Sequence, residues 1–504
     1  MLRVTRESRQ RRLAKLWLAG LGLWGGVIGL PGTGFAQDAY PTRLPNSEYT
    51  RAVDKIVERE IQQTGVQQTG LLQPEAVPDP APLPPITAAT APAGSGTYTY
   101  STTCPQDACH QGEFWSVNSL FDDGCGGNWL TDNKFTMGGN IAASYTVNTD
   151  RPKDHFNGPV TWTDRSNEGQ LNQAWLYFEK VLDPDKCFDV GGRVDIMYGS
   201  SARFTTETGL EDNINGSHAF YGLAIPAFYL TSKYDKWTFK SGHFISPVGF
   251  FTVDTTQNFF NTIPYTYQYG EPFTHTGSMA SYQVDDSLNV GAGVIRGWDN
   301  FDNTNPHLGV IGTATKTFEG KDSLAWVGMY STEQNQLLQF RNRYFQTLVY
   351  TKPVTDKITY VAQSDFGMQK DAMAASGKTA FWYGINQYAF YKINDCWSMG
   401  VNAEWFRDEE GYRVGGFLPN SFAVPGSQVR GLSPSRTGYA GNFYQVTMGP
   451  KWTPTKNIII RPNLRFDWFS GTVDKNTNPT KLLPYDNGTK NAQTIFGTDF
   501  IILF

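Results

Sequence analysis

One pattern governs the chain from Lys134 onward: an alternating run, a tight polar turn, a second alternating run, then a long polar loop. The tight turns are Asp183-Pro184-Asp185-Lys186, Tyr234-Asp235-Lys236, Val284-Asp285-Asp286-Ser287, Glu319-Gly320-Lys321-Asp322, Thr355-Asp356-Lys357, Ile393-Asn394-Asp395 and Pro454-Thr455-Lys456-Asn457. Asp, Asn, Pro and Gly favour such turns through fixed or left-handed backbone angles and local side-chain hydrogen bonds, which is the hairpin signal. Longer stretches separate the hairpins, near 149–168, 199–218, 244–273, 297–306, 332–341, 367–378, 408–437 and 471–491. A soluble sandwich has no reason to sort its connections by length, whereas a barrel threaded through a bilayer keeps short turns on one side and long loops on the other. Seven hairpins, a first strand near 134–148 and a closing strand therefore predict an all-β, transmembrane antiparallel up-and-down β-barrel of about sixteen strands. Both ends of such a barrel lie on the short-turn, periplasmic side.

The strands that follow tight turns alternate most cleanly. Phe188, Val190, Gly192, Val194, Ile196 and Tyr198 would face lipid while Asp189, Arg193 and Asp195 face water. Met399, Val401, Ala403 and Trp405 point out while Ser398, Asn402 and Glu404 point in. Ile460, Leu464, Phe466 and Trp468 point out while Arg461, Asn463, Arg465 and Asp467 point in. A charge on the lipid face at mid-depth costs about 2–4 kcal/mol, so charges confined to one parity imply a wet interior. The alternative is that these charges pair with one another and fill a closed barrel, although a barrel this wide normally leaves a channel. The last residues fit the same scheme: Phe496, Phe500, Ile502 and Phe504 share one parity, opposite Gly497 and Asp499. Such a terminal aromatic strand resembles the closing strand of bacterial outer-membrane barrels; alone it would equally suit an edge strand of a soluble β protein. The composition agrees with a barrel, being 18% charged and 14% aromatic, with 51 glycines among 504 residues. Past the first 36 residues no apolar run approaches the roughly 18 needed for a spanning helix.

Residues 1–36 read as a signal peptide, with a basic start, an apolar stretch from Leu16 to Leu30, and small residues Gly34-Phe35-Ala36 for cleavage. A GxGxxG match at Gly20, Gly22 and Gly25 falls inside it and has no preceding strand. Of 42 basic and 47 acidic residues, six and one lie in this segment, leaving 36 and 46 and a net charge of −10. That balance argues against a nucleic-acid partner and favours cations over anions in a pore. Residues 37–103 form a periplasmic segment: a short helix from Ser47 to Gln63, then a Pro/Ala-rich linker that cannot build a core. Residues 104–133 are a cysteine-containing segment at the barrel entrance, and 134–504 the barrel.

Two loop motifs carry a family resemblance. Ser246-Pro247-Val248-Gly249, and the more specific run from Gly297-Trp298-Asp299-Asn300 to Pro306, resemble the OmpL-like β-barrel porin family (porin-2 type) over about Phe114 to Phe504. The resemblance implies an outer-membrane channel and nothing finer. The expected function is an outer-membrane porin giving passive diffusion of small hydrophilic solutes or ions, weakly cation-leaning. The alternative is a structural or adhesive barrel with a plugged, non-conducting lumen. The expected location is the bacterial outer membrane, reached through the signal peptide. The expected partners are outer-membrane lipid, the solutes themselves and other copies in a homotrimer. No cofactor or metal is expected, and an enzyme is disfavoured because no GxSxG, HExxH or P-loop occurs and the six histidines are scattered.

The candidate lumen residues are Asp189, Arg193, Asp195, Lys240, Glu404, Arg461, Arg465 and Asp467. The stretch between Ile245 and Thr274 is long and aromatic, and carries Asp254, Phe259, Tyr265 and Glu271. It is expected to fold inward as a constriction, with Asp254 and Glu271 facing Lys240, Arg461 or Arg465; packing on the outer rim is the competing arrangement. The five cysteines, Cys104, Cys109, Cys125, Cys187 and Cys396, suggest disulfides in an oxidising compartment. Cys187 and Cys396 lie too far apart along the wall to bridge each other, so bonds from them to two of the N-terminal cysteines would tether that segment under the lumen. A local Cys104–Cys109 bridge is the competing arrangement.

Overall fold

A computed structural model describes residues 115–122, 128–153, 155–211, 214–215, 220–302, 306–335, 339–373, 376–414, 438–472, 483–486 and 488–504. The expected signal peptide, the helix from Ser47 to Gln63, the Pro/Ala linker and Cys104, Cys109 and Cys125 lie outside these residues.

Sixteen strands form among the described residues. They are β1 (Phe135–Asn148), β2 (Gly169–Lys180), β3 (Phe188–Gly199), β4 (Gly222–Tyr234), β5 (Trp237–Ile245), β6 (Thr274–Asp285), β7 (Leu288–Ile295) and β8 (Gly309–Thr317). The second half is β9 (Ser323–Gln334), β10 (Phe340–Pro353), β11 (Ile358–Gln369), β12 (Ala380–Lys392), β13 (Trp397–Asp408), β14 (Ala440–Thr455), β15 and β16 (Ala492–Leu503). β15 comes in two pieces, Ile458–Ile460 and Asn463–Thr472, both paired with β14 and with β16. Every strand pairs antiparallel with its sequence neighbours, and β1 pairs with β16 from Asn140↔Leu503 to Asn148↔Ile495, which closes the barrel. Phe504 completes the seam by exchanging backbone hydrogen bonds with Gly139 at 2.9 and 3.0 Å. Closure leaves no edge strand, so the wall satisfies its backbone internally, which is the condition for spanning lipid with strands.

The break in β15 is a departure from the continuous strand expected after Ile458. Pro462 has no N–H to give the ladder, and the pairing with β14 shifts register between Trp452 and Thr455. Arg461, at the break, keeps one backbone bond, donating to the Asp499 carbonyl at 3.2 Å, and turns a fully buried side chain inward.

The parity expected for the wall is the parity observed. Phe188, Val190, Val194, Ile196 and Tyr198 are all exposed on the outside of β3, while Asp195 is buried. Aromatic residues gather at both ends of the outer face. Trp397 stacks on Trp452 with centroids 5.4 Å apart near the short turns, and Tyr444 stacks on Trp468 at 5.0 Å near the long loops. Such rings suit the two interfaces of a bilayer, with an apolar body and a polar handle.

At the short-turn end, the segment before β1 forms a 3-10 turn, Val117–Phe121, capped by Ser116, and a helical turn, Trp129–Asp132, capped by the Asn128 side chain. Asn457, in the β14–β15 turn, receives the Trp115 N–H at 3.0 Å and donates to the Trp115 carbonyl at 2.7 Å. Among the described residues Cys187 and Cys396 carry free thiols and do not bridge each other; the cysteines expected to tether to them lie outside the described residues. Cys396 is enclosed by its own turn, where the Asn394 side-chain Oδ1 accepts from the N–H groups of Cys396 and Trp397 at 2.9 Å. It behaves there as a small buried apolar side chain.

Candidate functional site: an inward loop fastened to the barrel wall

The connection between β5 and β6, residues 246–273 and here called L3, lies inside the barrel. Phe250, Phe251, Phe259, Phe260, Tyr265, Tyr267, Tyr269 and Phe273 are all buried, and their polar partners stand on strands around the circumference. Sequence alone left inward and rim packing as alternatives for this stretch. The inward side chains of β2, β11, β12, β13 and β15 settle its place by hydrogen bonding to its backbone.

Two arginines hold its first half. Arg461 donates from Nη1 to the carbonyls of Thr255 at 3.1 Å and Asn258 at 2.7 Å, while its Nε pairs with Asp499 Oδ2 at 2.8 Å. Arg465 donates to Thr262 Oγ1 at 2.8 Å and the Ile263 carbonyl at 2.7 Å, and its Nε pairs with Asp467 Oδ1 at 2.8 Å. A guanidinium suits this task because its fork can meet a carboxylate and two carbonyls at once. Gln173 of β2 reaches the same half of the loop, donating to the Val253 carbonyl at 2.7 Å and accepting from Thr255 N–H at 3.1 Å.

Glu404, Asp467, Trp382 and Gln363 hold the rest of the loop. Glu404 takes the Tyr265 N–H at 2.8 Å on Oε2 and the Thr266 hydroxyl at 2.6 Å on Oε1, at the start of the short helical turn Thr266–Gly270. Free N–H groups at the start of a helical turn are the natural partners of a carboxylate. Tyr265 donates its hydroxyl to Asp467 Oδ1 at 2.9 Å, and Trp382 Nε1 donates to the Gly270 carbonyl at 3.0 Å. Gln363 accepts from Phe250 N–H at 3.0 Å and donates to Glu271 Oε1 at 2.6 Å.

Close approach of loop to wall depends on a missing side chain at Gly400 of β13. A Cβ there would stand 2.3 Å from the Phe259 ring. Phe259 in turn stacks on Phe390 at 4.8 Å and carries the Lys451 ammonium 5.2 Å above its face.

Other loops close over L3. In the first long loop, 149–168, Thr161 donates to Gln268 Oε1 at 2.7 Å and the Pro159 carbonyl accepts from Tyr269 at 2.7 Å. In the loop 296–308, Asp299 Oδ1 accepts from Phe273 N–H at 2.8 Å. Trp298 of the same loop meets Trp382 edge-on at 6.1 Å, with Arg343 4.5 Å and Arg413 5.2 Å from its ring. Gly297 makes this possible with φ +96, and a Cβ there would fall 2.4 Å from Glu333 Oε1. The glycine and aromatic residues of the sequence motif at 297–300 thus dock one loop onto two walls.

Among the sequence-derived candidates, Glu404, Arg461, Arg465 and Asp467 meet L3 directly. Asp189, Arg193, Asp195 and Lys240 belong to a different patch on β3 and β5. There Arg193 bonds Asp195 at 2.8 Å and Glu179 at 3.0 Å, and Asp189 takes Lys180 at 3.2 Å. Lys240 lies over the Tyr229 ring at 4.7 Å. The expected facing of Asp254 and Glu271 onto Lys240, Arg461 or Arg465 is corrected by this geometry. Asp254 caps its own turn instead, accepting from Thr256 N–H at 2.9 Å and the Thr256 hydroxyl at 2.7 Å. The arginines are already committed to Asp499, Asp467 and loop carbonyls. Glu271 lies beside Gln363, and burial, followed by the neighbouring Asp365 carboxylate, pushes its pKa well above the usual carboxylate range.

Glu179, Gln173 and Gln363 are inward groups not singled out from sequence, although the same alternation would have reached them; Asp499, on the inward parity of the closing strand, was not among the lumen candidates. Arg413 and Trp298 sit on loops, where no period exists to reveal an inward side chain. Among the described residues no group of three or more His, Cys, Asp or Glu is placed to hold a metal ion.

The closed sixteen-stranded wall, its two aromatic rims and its inward third loop define a β-barrel of the porin class. The chain belongs to the family described as "Putative beta-barrel porin-2, OmpL-like", whose model matches residues 134–504, and is by that membership an outer-membrane porin. No curated protein matches the chain. In fold it is similar to an anion-selective porin from Comamonas acidovorans, at 8% identity and TM-score 0.46, covering 73% of this chain and 99% of the other. It is similar also to OprB of Pseudomonas putida in a high-pH structure, at 11% identity and TM-score 0.44, covering 75% and 96%. The trimer form of OmpT from Vibrio cholerae shows 11% identity and TM-score 0.43, covering 73% and 99%.

Proposed function

We propose that this chain is a passive diffusion pore for small hydrophilic solutes or ions, exported by residues 1–36 and narrowed by L3. The observation that carries this is the fastening of L3 to the inner wall by Arg461, Arg465, Glu404, Gln173 and Gln363. A loop held by directed bonds to five strands behaves as a fixed constriction rather than a flap. Asp189, Arg193, Asp195 and Lys240 line the wall away from the loop's anchors. Arg193 and Asp195 pair with each other and Asp189 with Lys180, so these charges set a local field rather than a strong single-sign filter. A weak cation preference follows from the acidic excess of the mature chain. The chain acts without a catalytic step, and it assembles as a homotrimer.

The aromatic filling favours a second reading, a plugged barrel with a structural or adhesive role. Trp162, Trp298, Trp382, Tyr412 and Tyr485 are fully buried and come from loops and wall alike. Planar-bilayer recording separates the two. Purified mature protein should give stable stepwise conductance, with a reversal potential of cation-selective sign under a salt gradient. A folded, heat-modifiable barrel that stays silent would establish the plugged alternative. Cross-linking in native membranes should give a three-chain species; a monomer throughout would overturn the trimer.

A further inference from the structure

The motif Ser246-Pro247-Val248-Gly249 opens L3, and its glycine makes room for a group from the loop's far end. Gly249 has φ +77, and a Cβ there would fall 2.1 Å from Glu271 Oε2. Glu271 thus lies against the first turn of its own loop, in hydrogen-bonding contact with the Asp365 carboxyl of β11. Both carboxyls are buried.

Gln363 of β11 ties the two together. Its Nε2 donates to Glu271 Oε1 at 2.6 Å and to Asp365 Oδ1 at 2.9 Å, which uses both amide protons, and its Oε1 accepts from Phe250 N–H at 3.0 Å. Thr347 of β10 donates to the same Asp365 Oδ1 at 2.6 Å. The other oxygens, Glu271 Oε2 and Asp365 Oδ2, are enclosed and find no N–H or hydroxyl donor among the described residues. Ionised carboxylates only accept, so two in contact repel, whereas a single proton between them makes a charge-assisted bond. The titratable groups that face the pair are Glu404 of β13 and Tyr388 of β12, and both are acidic. The arginines of adjoining elements are engaged elsewhere, Arg413 with the Tyr269 carbonyl at 2.5 Å and Arg343 with Gln369 Oε1 at 2.8 Å.

We infer that Glu271 and Asp365 share one proton as a latch on L3, and that its loss in alkaline medium frees the loop from β11 and widens the pore. The inference rests on the pore reading and adds a switch to it. With the proton in place, Gln363 holds the start of L3 through Phe250 and its end through Glu271. Once the proton leaves to bulk water, two buried carboxylates face each other beside Glu404. β11 is fixed in the ladder on both sides, so Glu271 is the partner that moves. Arg461 and Arg465 keep their hold on the middle of L3, so the released state is a wider open level and not a missing loop.

Single-channel current of the mature chain in KCl is recorded from about pH 6 to about pH 10, the range over which buried carboxyls give up their protons. The wild type should pass to a larger open level as pH rises. Glu271→Gln and Asp365→Asn each leave one carboxylate with an amide donor in place of the proton, so both should stay at the smaller level throughout. Asp356→Asn, in the exposed β10–β11 turn, should keep the alkaline transition. Infrared difference spectra of the lipid-reconstituted barrel read the proton itself. The wild type should lose a protonated-carboxyl C=O band across the same transition, and both latch variants should lack that loss. A single open level at every pH, no such band, or a transition retained in either latch variant would overturn the inference and leave the pore intact. A barrel silent at every pH would overturn the pore reading, and the latch with it.

Discussion

On β13, Trp397, Met399 and Val401 turn outward and are exposed, while Asn402 and Glu404 turn inward and are buried against L3 and its neighbours. One strand thus serves two environments within a few ångströms. The outward face needs only apolar surface and aromatic rims, because lipid asks nothing directional of it. The inward face is directional throughout: Glu404, Arg461 and Arg465 each meet specific backbone groups of a loop that starts between other strands. Substitutions on the outer face should therefore be read by polarity, and substitutions on the inner face by which bond is lost.

The largest effect is expected where an inward ion pair is broken. Arg461→Met leaves Asp499 buried without its partner and should cost about 3–5 kcal/mol, measured as a lower urea midpoint of the vesicle-folded barrel. Arg461→Met with Asp499→Leu should recover much of that loss, because the uncompensated charge is gone. On the lipid face, Val401→Arg should cost about 2–4 kcal/mol near mid-depth, whereas Val401→Leu should be nearly neutral in the same assay. Gly400→Ala should be smaller, about 1–3 kcal/mol, since the Cβ forces Phe259 away from the wall. The same substitution should also raise current noise as L3 loses its seat.

The smallest effect belongs to Glu271. Its pKa is raised in the folded barrel, so it binds its proton more tightly there than in the unfolded chain. The stability this gives is fully present below the ordinary carboxylate range and is lost as pH rises through the folded-state value. Glu271→Gln should flatten that fall in the urea midpoint with rising pH. An unchanged pH dependence of the midpoint in the variant would show that Glu271 does not titrate with folding.

The division between the two faces is also the division in what the sequence reveals. Strand number, turn positions and outward parity are all legible, because lipid imposes a period of two and hairpins impose turn residues. The break at Pro462 is legible in principle from the proline itself. Contacts across the interior are not: nothing local to Arg461 names Thr255 and Asn258 as its partners, more than two hundred residues away in the chain. The charges of Asp254 and Glu271 suggested ion pairs, but the arginines were taken by Asp499 and Asp467, and one carboxylate capped its own turn. Loop residues such as Trp298 and Arg413 have no periodicity to betray that they point inward.

The most direct test of a lumen narrowed by a fastened L3 is single-channel conductance with that loop shortened. Replacing residues 252–270 by a short Gly/Ser linker removes the segment held by Arg461, Arg465 and Glu404 and leaves the paired strands β5 and β6 in place. Conductance should rise several-fold over the intact chain. An unchanged conductance in a folded barrel would place the restriction elsewhere and contradict the account.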